Sequence, residues 1–304
     1  VGAVKYVIAA KGIYAVYEKN GVDTIVTLVS YERLECADLF LFDDSVYSFC
    51  NGKLYKFKDL AAEDVLTAGT AKIPEVSISR NPDGTGGVSL EGVNLLTTKR
   101  TFSFLGNDTD KEYSLVPQKL TESDFYKYIV AGSIKVEVMN SDGEFETKTK
   151  DTDYTIGETK TLKGRDILGN TADFVVCAPK ITFKAAHKPV VTGQDNVKIT
   201  FENFDATEDH KETIGGVETI IYKGQYKESR VDLLKTSITK AYGYSTTDRI
   251  FAVGGVKKNR VYYTGINDPT YWPDNNYFVA GQDGNDIVGL HAYSSYLAVI
   301  KGDT

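Results

Sequence analysis

Few residues in this chain have the type and spacing to do chemistry. Its three histidines, His187, His210 and His291, stand far apart, without a His-Glu-x-x-His pair or any other close ligand spacing. Surface or hydrogen-bonded histidines are therefore expected rather than a metal centre. No Gly-x-Ser-x-Gly elbow accompanies them, which leaves a serine hydrolase unsupported. Cys36, Cys50 and Cys177 form no Cys-x-x-Cys pair, so each reads as a small buried hydrophobe with a reduced thiol, a Cys36–Cys50 disulfide being the minor alternative. Three acidic loops, Asp43-Asp44, Asn140-Ser-Asp-Gly-Glu144 and Asp283-Gly-Asn-Asp286, offer oxygens of the kind calcium takes. None has the spaced ligands and distal glutamate of an EF-hand, and Asx-Gly sequences form turns for reasons of their own. The glycine-rich Asn81-Pro-Asp-Gly-Thr-Gly-Gly87 matches neither phosphate-binding pattern and reads as a flexible loop. Among 42 acidic residues a pair of carboxylates across a glycosidase cleft is compatible with the sequence, but nothing nominates one. No catalytic, cofactor-binding or metal-binding residue is expected, and no cofactor.

The elements that would position any site are strands. Twenty tyrosines and fourteen phenylalanines against one methionine favour a pleated surface, so the class is all-β. A length of 304 residues suggests two domains, and the 41% hydrophobic and 25% charged fractions are ordinary for a globular protein. No apolar run approaches the roughly 20 residues of a membrane-spanning helix, and the start at Val1 carries no recognisable signal peptide. Both ends look cut, which suggests a fragment of a longer protein. A net charge of -7 argues against sequence-independent nucleic-acid binding.

Along the chain, residues 4 to 58 read as a meander of short strands turned at Asn20-Gly21, Asp43-Asp44 and Asn51-Gly52. Residues 59 to 68 are the best helical candidate, with Asp59 as its cap. A motif of apolar, aromatic, small or polar, apolar recurs in Ile13-Tyr-Ala-Val-Tyr17, Val46-Tyr-Ser-Phe49, Leu54-Tyr-Lys-Phe57 and Ile250-Phe-Ala-Val253, which suggests hairpins repeated as β-propeller blades, or a plain sandwich. The alternation of Lys135-Val-Glu-Val138 and Val197-Lys-Ile-Thr200 indicates strands with one wet face, as in a small antiparallel sandwich. The expected organisation is a propeller-like or multi-hairpin body over 1–98 and 205–304, interrupted by an inserted β-sandwich over 99–204, with 205–212 as a polar connector.

The stretch Arg260 to Asp274 begins as a strand and ends in a turn holding Asn267, Asp268, Pro269, Tyr271, Trp272 and Pro273. Two prolines fix two φ angles and the Asn-Asp pair can bond its own backbone, so the turn should be rigid. Trp272 is expected to bury its ring in the β-rich body, between the strand ending at Thr264 and the one beginning near Tyr277, with its N–H on a loop carbonyl. The competing reading leaves Trp272 exposed as an anchor for a partner or a glycan.

This stretch, Tyr-Tyr-Thr-Gly-Ile-Asn-Asp-Pro-Thr-Tyr-Trp-Pro-Asp over 262–274, resembles a segment of a family of large virion structural proteins of tailed bacteriophages and prophages. Val93-Asn-Leu-Leu-Thr97, Asp153-Tyr-Thr-Ile156, Ala178-Pro-Lys-Ile-Thr-Phe183 and Val197-Lys-Ile-Thr-Phe201 look like further segments of that family. The resemblance implies a non-enzymatic tail, baseplate or neck component, located in the virion and assembled in the host cytoplasm. Its implied partners are other virion proteins in a homo- or hetero-oligomer, with no direct nucleic-acid contact and no membrane. A receptor- or carbohydrate-binding module of an adsorption apparatus is the alternative, and a propeller glycoside hydrolase a weaker one.

Overall fold

The computed structural model describes residues 3–35, 38–117, 127–184, 191–243, 248–281 and 286–302. The protein is all-β. In chain order the first strands are β1 (Lys5–Ala9), β2 (Gly12–Lys19), β3 (Val22–Ser30), β4 (Phe40–Phe42), β5 (Ser45–Cys50), β6 (Lys53–Lys58) and β7 (Ala61–Asp64), followed by helix α1 (Val65–Ala68). Next come β8 (Glu75–Arg80), β9 (Gly86–Ser89), β10 (Lys99–Phe104), β11 (Glu112–Ser114), β12 (Tyr128–Val130), β13 (Lys135–Met139), β14 (Phe145–Lys148) and β15 (Tyr154–Ile156). The longer strands follow: β16 (Thr159–Arg165), β17 (Thr171–Cys177), β18 (Lys180–Phe183), β19 (Val197–Ile214) and β20 (Val217–Gly224). Helix α2 (Glu228–Leu234) leads to β21 (Ile238–Tyr242), β22 (Arg249–Val253), β23 (Arg260–Tyr263), β24 (Tyr277–Val279), β25 (Ile287–Tyr293) and β26 (Tyr296–Lys301). No helix among the described residues is long and apolar enough to cross a membrane.

The chain divides into two compact units, one of residues 1–72, 94–97 and 228–304, the other of 73–93 and 98–227. The boundaries expected at 98/99 and 204/205 both fall inside or beside the second unit. The β8–β9 hairpin belongs there because β8 pairs in parallel with β10, and β19 runs unbroken through the supposed connector. Residues 94–97 return alone to the first unit, where Leu95 and Leu96 are buried in its core.

The first unit consists of four antiparallel arrays in which consecutive strands pair: β1–β2–β3, β4–β5–β6–β7, β21–β22–β23–β24 and β25–β26. Its turns follow from residue type. Asn20-Gly21 and Asn51-Gly52 both take positive φ at both positions, the primed geometry that matches the twist of a two-residue hairpin. Alternate residues of the strands then face three clusters: Phe40, Phe49 and Leu54 meet Ile250, Ala252, Tyr262 and Trp272 in the largest, Ile13 and Val29 pack with Cys50, Tyr55 and Phe57 in a second, and Val253, Val261 and Ile287 form a third. The helix expected over 59–68 is corrected. Residues 61–64 pair with β6, Asp59 and Leu60 form the connecting turn at positive φ, and only 65–68 are helical. Asp64 rather than Asp59 caps that turn of helix, accepting from Leu66 N at 3.1 Å and Thr67 N at 3.4 Å.

In the second unit β19 is shared between two arrays. Its first half pairs with β10 and β13, and its second half joins a ring in which β12, β17, β16, β20 and β19 pair in succession and β19 returns to β12. Bulges between Asp205 and His210 bend the strand at this transition. The ring closes at a narrow parallel seam, the pair Gly164↔Tyr222, followed by a hydrogen bond from Gln225 N to Arg165 O at 2.8 Å. Two glycines permit that approach. A Cβ on Gly164 would lie 2.9 Å from the Phe204 ring, and one on Gly224, at φ +60, would lie 2.6 Å from the Arg165 carbonyl. Gly224→Ala should therefore cost about 2 kcal/mol or more, from backbone strain and a clash that no side-chain rotation relieves. A urea midpoint unchanged from the parent chain would show that the seam relaxes freely.

Candidate functional site

The turn after β23 is built by its own side chains. Asp268 Oδ1 accepts from both the backbone N and the Oγ1 of Thr270 at 2.8 Å, and Gly265 N donates to Tyr271 O at 2.7 Å. A Cβ on Gly265 would lie 2.3 Å from Tyr271 Cδ1, so glycine is required where the tyrosine folds back. Asn267, exposed and at φ +54, donates its N–H to Asp248 O and accepts from Asp248 N at 3.0 Å. Pro269, Tyr271, Trp272 and Pro273 are all buried. Trp272 retains 1% exposure, and its Nε1 donates to Pro269 O at 2.9 Å, so the buried reading holds and the loop carbonyl is the one at the head of the turn. Its aromatic partner is Phe49 of β5, edge-on with centroids 5.4 Å apart, a contact that local sequence could not supply.

The residue that joins this turn to the rest of the first unit is Asn94. It has 0% exposure and uses its whole amide: Nδ2 donates to Lys72 O and Thr270 O, each at 2.8 Å, and Oδ1 accepts from Trp272 N at 3.0 Å and Leu96 N at 3.1 Å. Leu95 N adds a bond to Trp272 O at 2.8 Å. Sequence reading passed over Asn94, since a single asparagine before two leucines signals a turn no more than a hub.

A second polar cluster lies nearby in the same unit. Asp232, buried on α2, accepts from Tyr262 Oη at 2.7 Å and Lys257 N at 2.8 Å, while Arg260 donates to the Tyr262 oxygen at 3.1 Å. Burial first, and then the bond to Asp232, pushes the Tyr262 hydroxyl well above its ordinary range. The arrangement pins α2 to β23 and keeps the phenol neutral.

Several of the remaining candidates make structural contacts among the described residues. Asn140 Oδ1 accepts from Asp142 N at 2.9 Å and Glu144 N at 3.0 Å, which makes that acidic loop an Asx turn. Asp44 engages Lys58 and Ser45. Asp283, Gly284 and Asn285 lie outside the described residues, as do His187 and Cys36. Among the described residues no three His, Cys, Asp or Glu side chains converge as metal ligands would. The glycine-rich loop exposes Asn81, Asp83, Thr85 and Gly86 but is hydrogen-bonded: Thr85 N donates to Asp83 Oδ1 at 2.8 Å, and buried Arg80 reaches Gly84 O from its seat over the Phe102 ring. His291 is exposed on β25, and His210 lies among charged groups of the second unit.

The expectation of three reduced thiols is corrected: Cys50 is disulfide-bonded and Cys177 is free and buried. Burial pushes the Cys177 thiol up to about 11, so its thiolate is scarce at neutral pH. Iodoacetamide at pH 8 should leave Cys177 unmodified in the folded chain and label it in denaturant. Rapid native labelling, read by mass spectrometry, would show that the thiol is accessible.

Of the six residues singled out in the turn as structural or interaction candidates, Asp268, Pro269, Tyr271, Trp272 and Pro273 thus fasten the fold, and exposed Asn267 bonds Asp248. No protein-family model matches the chain, and no curated protein and no solved structure matches it.

Proposed function

We propose that the protein is a non-enzymatic structural component of a tailed-bacteriophage virion, of the tail, baseplate or neck, working through protein–protein contacts. One observation carries this reading beyond wording. Two of the segments that resemble the virion family, 93–97 and 262–274, lie about 170 residues apart in sequence yet bond to each other through Asn94 and Trp272. These two matches therefore meet in one physical feature, while the other matching segments, 153–156, 178–183 and 197–201, lie in the second unit. In this reading the arrays of the first unit are propeller blades, two of them with the full four strands, and the second unit is the inserted sandwich-like domain. Surface for partners is at hand on β24, an edge strand whose Tyr277, Phe278 and Val279 are all exposed.

Mass spectrometry of gradient-purified particles tests the proposal: the chain should be present at a fixed copy number relative to the major capsid protein. Its presence in the infected lysate with absence from purified particles would overturn the reading. A second reading, receptor or glycan binding, is favoured by Tyr293 and Tyr296, which oppose each other at the β25–β26 turn at 71% and 73% exposure. Glycan-array binding that is lost in Tyr293→Ala would select it.

A further inference from the structure

The chain holds two Asn-Gly pairs, Asn20-Gly21 and Asn51-Gly52, and each fills a two-residue hairpin turn of the first unit. Their backbones nearly coincide, with φ of +55 and +77 in the first pair and +48 and +75 in the second. In both turns the flanking residues pair directly, Lys19 with Val22 and Cys50 with Lys53. Whatever separates the chemistry of the two pairs therefore lies in their side chains and in what holds each turn shut.

The Asn51 carboxamide is held at both ends. Its Nδ2 donates to Arg33 O at 2.9 Å, its Oδ1 accepts from Glu35 N at 3.0 Å, and Asn51 N donates to Glu35 O at 2.8 Å. The strand ends that carry it are anchored in the interior, since Phe49, Cys50 and Leu54 are at most 1% exposed and Cys50 is disulfide-bonded. Asn20 lacks such restraint. Among the described residues its side chain has no hydrogen-bond partner, and Glu18, Lys19, Asn20, Gly21, Val22 and Asp23 are all exposed. A hairpin tip with no buried side chain on either strand belongs to the part of a structure that opens most often.

We propose that Asn20 is a site of spontaneous covalent modification, converting to aspartate and isoaspartate in the folded chain, while Asn51 is protected in the same backbone geometry. The only co-reactant is water. The Gly21 nitrogen gives up its proton and attacks Asn20 Cγ, so that a C–N bond forms. The Cγ–Nδ2 bond breaks, and the amide nitrogen leaves as ammonia with that proton, which closes a five-membered succinimide. Water then opens the ring at one of its two carbonyls. Opening at Cγ restores the ordinary backbone with an aspartate side chain, and opening at the main-chain carbonyl routes the chain through Cβ, as isoaspartate.

Attack requires the carboxamide to swing onto the following nitrogen while the turn is open. For Asn20 only the turn has to open. For Asn51 two side-chain hydrogen bonds must break as well, and so must the packing of Phe49 and Leu54; together these slow it by about tenfold or more. The products act on the hairpin that holds them. Each adds a negative charge beside Glu18 and Asp23, which already face each other across the ladder, and isoaspartate adds a backbone carbon that a two-residue turn does not accommodate.

The test uses the full chain, held at pH 8 in native buffer and, in parallel, in denaturant with reductant, with peptides mapped by mass spectrometry at intervals. In native buffer Asn20 should convert at least about ten times faster than Asn51, with isoaspartate among the products. In denaturant, where both are unrestrained Asn-Gly pairs, the two rates should converge. Asn20→Gly, which leaves a Gly-Gly turn that the primed geometry accepts, should abolish the acidic species that accumulates in the native parent on ion exchange. Native Asn51 converting as fast as Asn20 would overturn the proposal, because the hydrogen bonds would then give no protection. An Asn20 that is stable in the native chain but labile in denaturant would overturn it too, as would an undiminished excess of Asn20 over Asn51 in denaturant, which would assign the difference to neighbouring sequence instead of the fold. The parent-chain rates decide this even if the variant fails to fold, and no outcome bears on residence in the virion.

Discussion

Replacing Trp272 by alanine should remove about 3 to 5 kcal/mol from the stability of the unit that contains it, the range seen when large aromatic rings are truncated in packed cores. The ring is 1% exposed, packs edge-on against Phe49 and shares a cluster with Leu95, Leu96, Leu233, Ile250 and Tyr262. Truncation leaves a cavity lined by strands that cannot all collapse into it, and it strands the Pro269 carbonyl that accepted the indole N–H. Trp272→Phe keeps most of the packing but loses that bond, and should fall between the parent and alanine. Equilibrium denaturation monitored by circular dichroism measures both. Fluorescence gives an independent check because the chain has one tryptophan: native emission should be blue-shifted and resistant to iodide. A fold of parental stability in Trp272→Ala would mean that the ring is dispensable to the core.

How far this was legible from sequence depended on the range of the interaction. Asn20-Gly21 and Asn51-Gly52 set their hairpins through positive φ at adjacent residues, and the strands flanking them follow. The rigidity of the Trp272 turn was equally local, because Asp268 and Thr270 are two residues apart. Misplaced features depend on distant partners. The domain boundary at 72/73 is set by the parallel pairing of β8 with β10 across some twenty residues, and nothing in the composition of 73–93 marks it. Residues 205–212 read as a connector because they are polar on both faces, which is what an exposed two-stranded ribbon requires. Gly164 and Gly224 close the ring against Phe204 and Arg165, neighbours that only the three-dimensional arrangement identifies.

Asn94 is the sharpest case of that limit and carries the other large expected effect. Its side chain holds four backbone groups from three stretches of chain, Lys72 O, Leu96 N, Thr270 O and Trp272 N, at a fully buried position. In Asn94→Ala those groups lose their common partner at once. A buried donor or acceptor left without a bond costs about 1 to 3 kcal/mol, and relaxation makes the sum less than additive, so a loss of about 4 kcal/mol or more is expected. Asn94→Asp separates hydrogen bonding from size. It keeps the volume and the acceptor facing Trp272 N and Leu96 N, but turns a carboxylate oxygen toward two carbonyls that needed donors. Because it adds buried charge to that mismatch, Asn94→Asp should destabilise at neutral pH at least as much as alanine, and it should recover in part on acidification as the carboxyl regains a proton to donate. Thermal melts of the two variants at pH 5 and pH 7 read this directly. An aspartate variant close to the parent at both pH values would show that residues 94–97 are held by the burial of Leu95 and Leu96, with the amide contributing little.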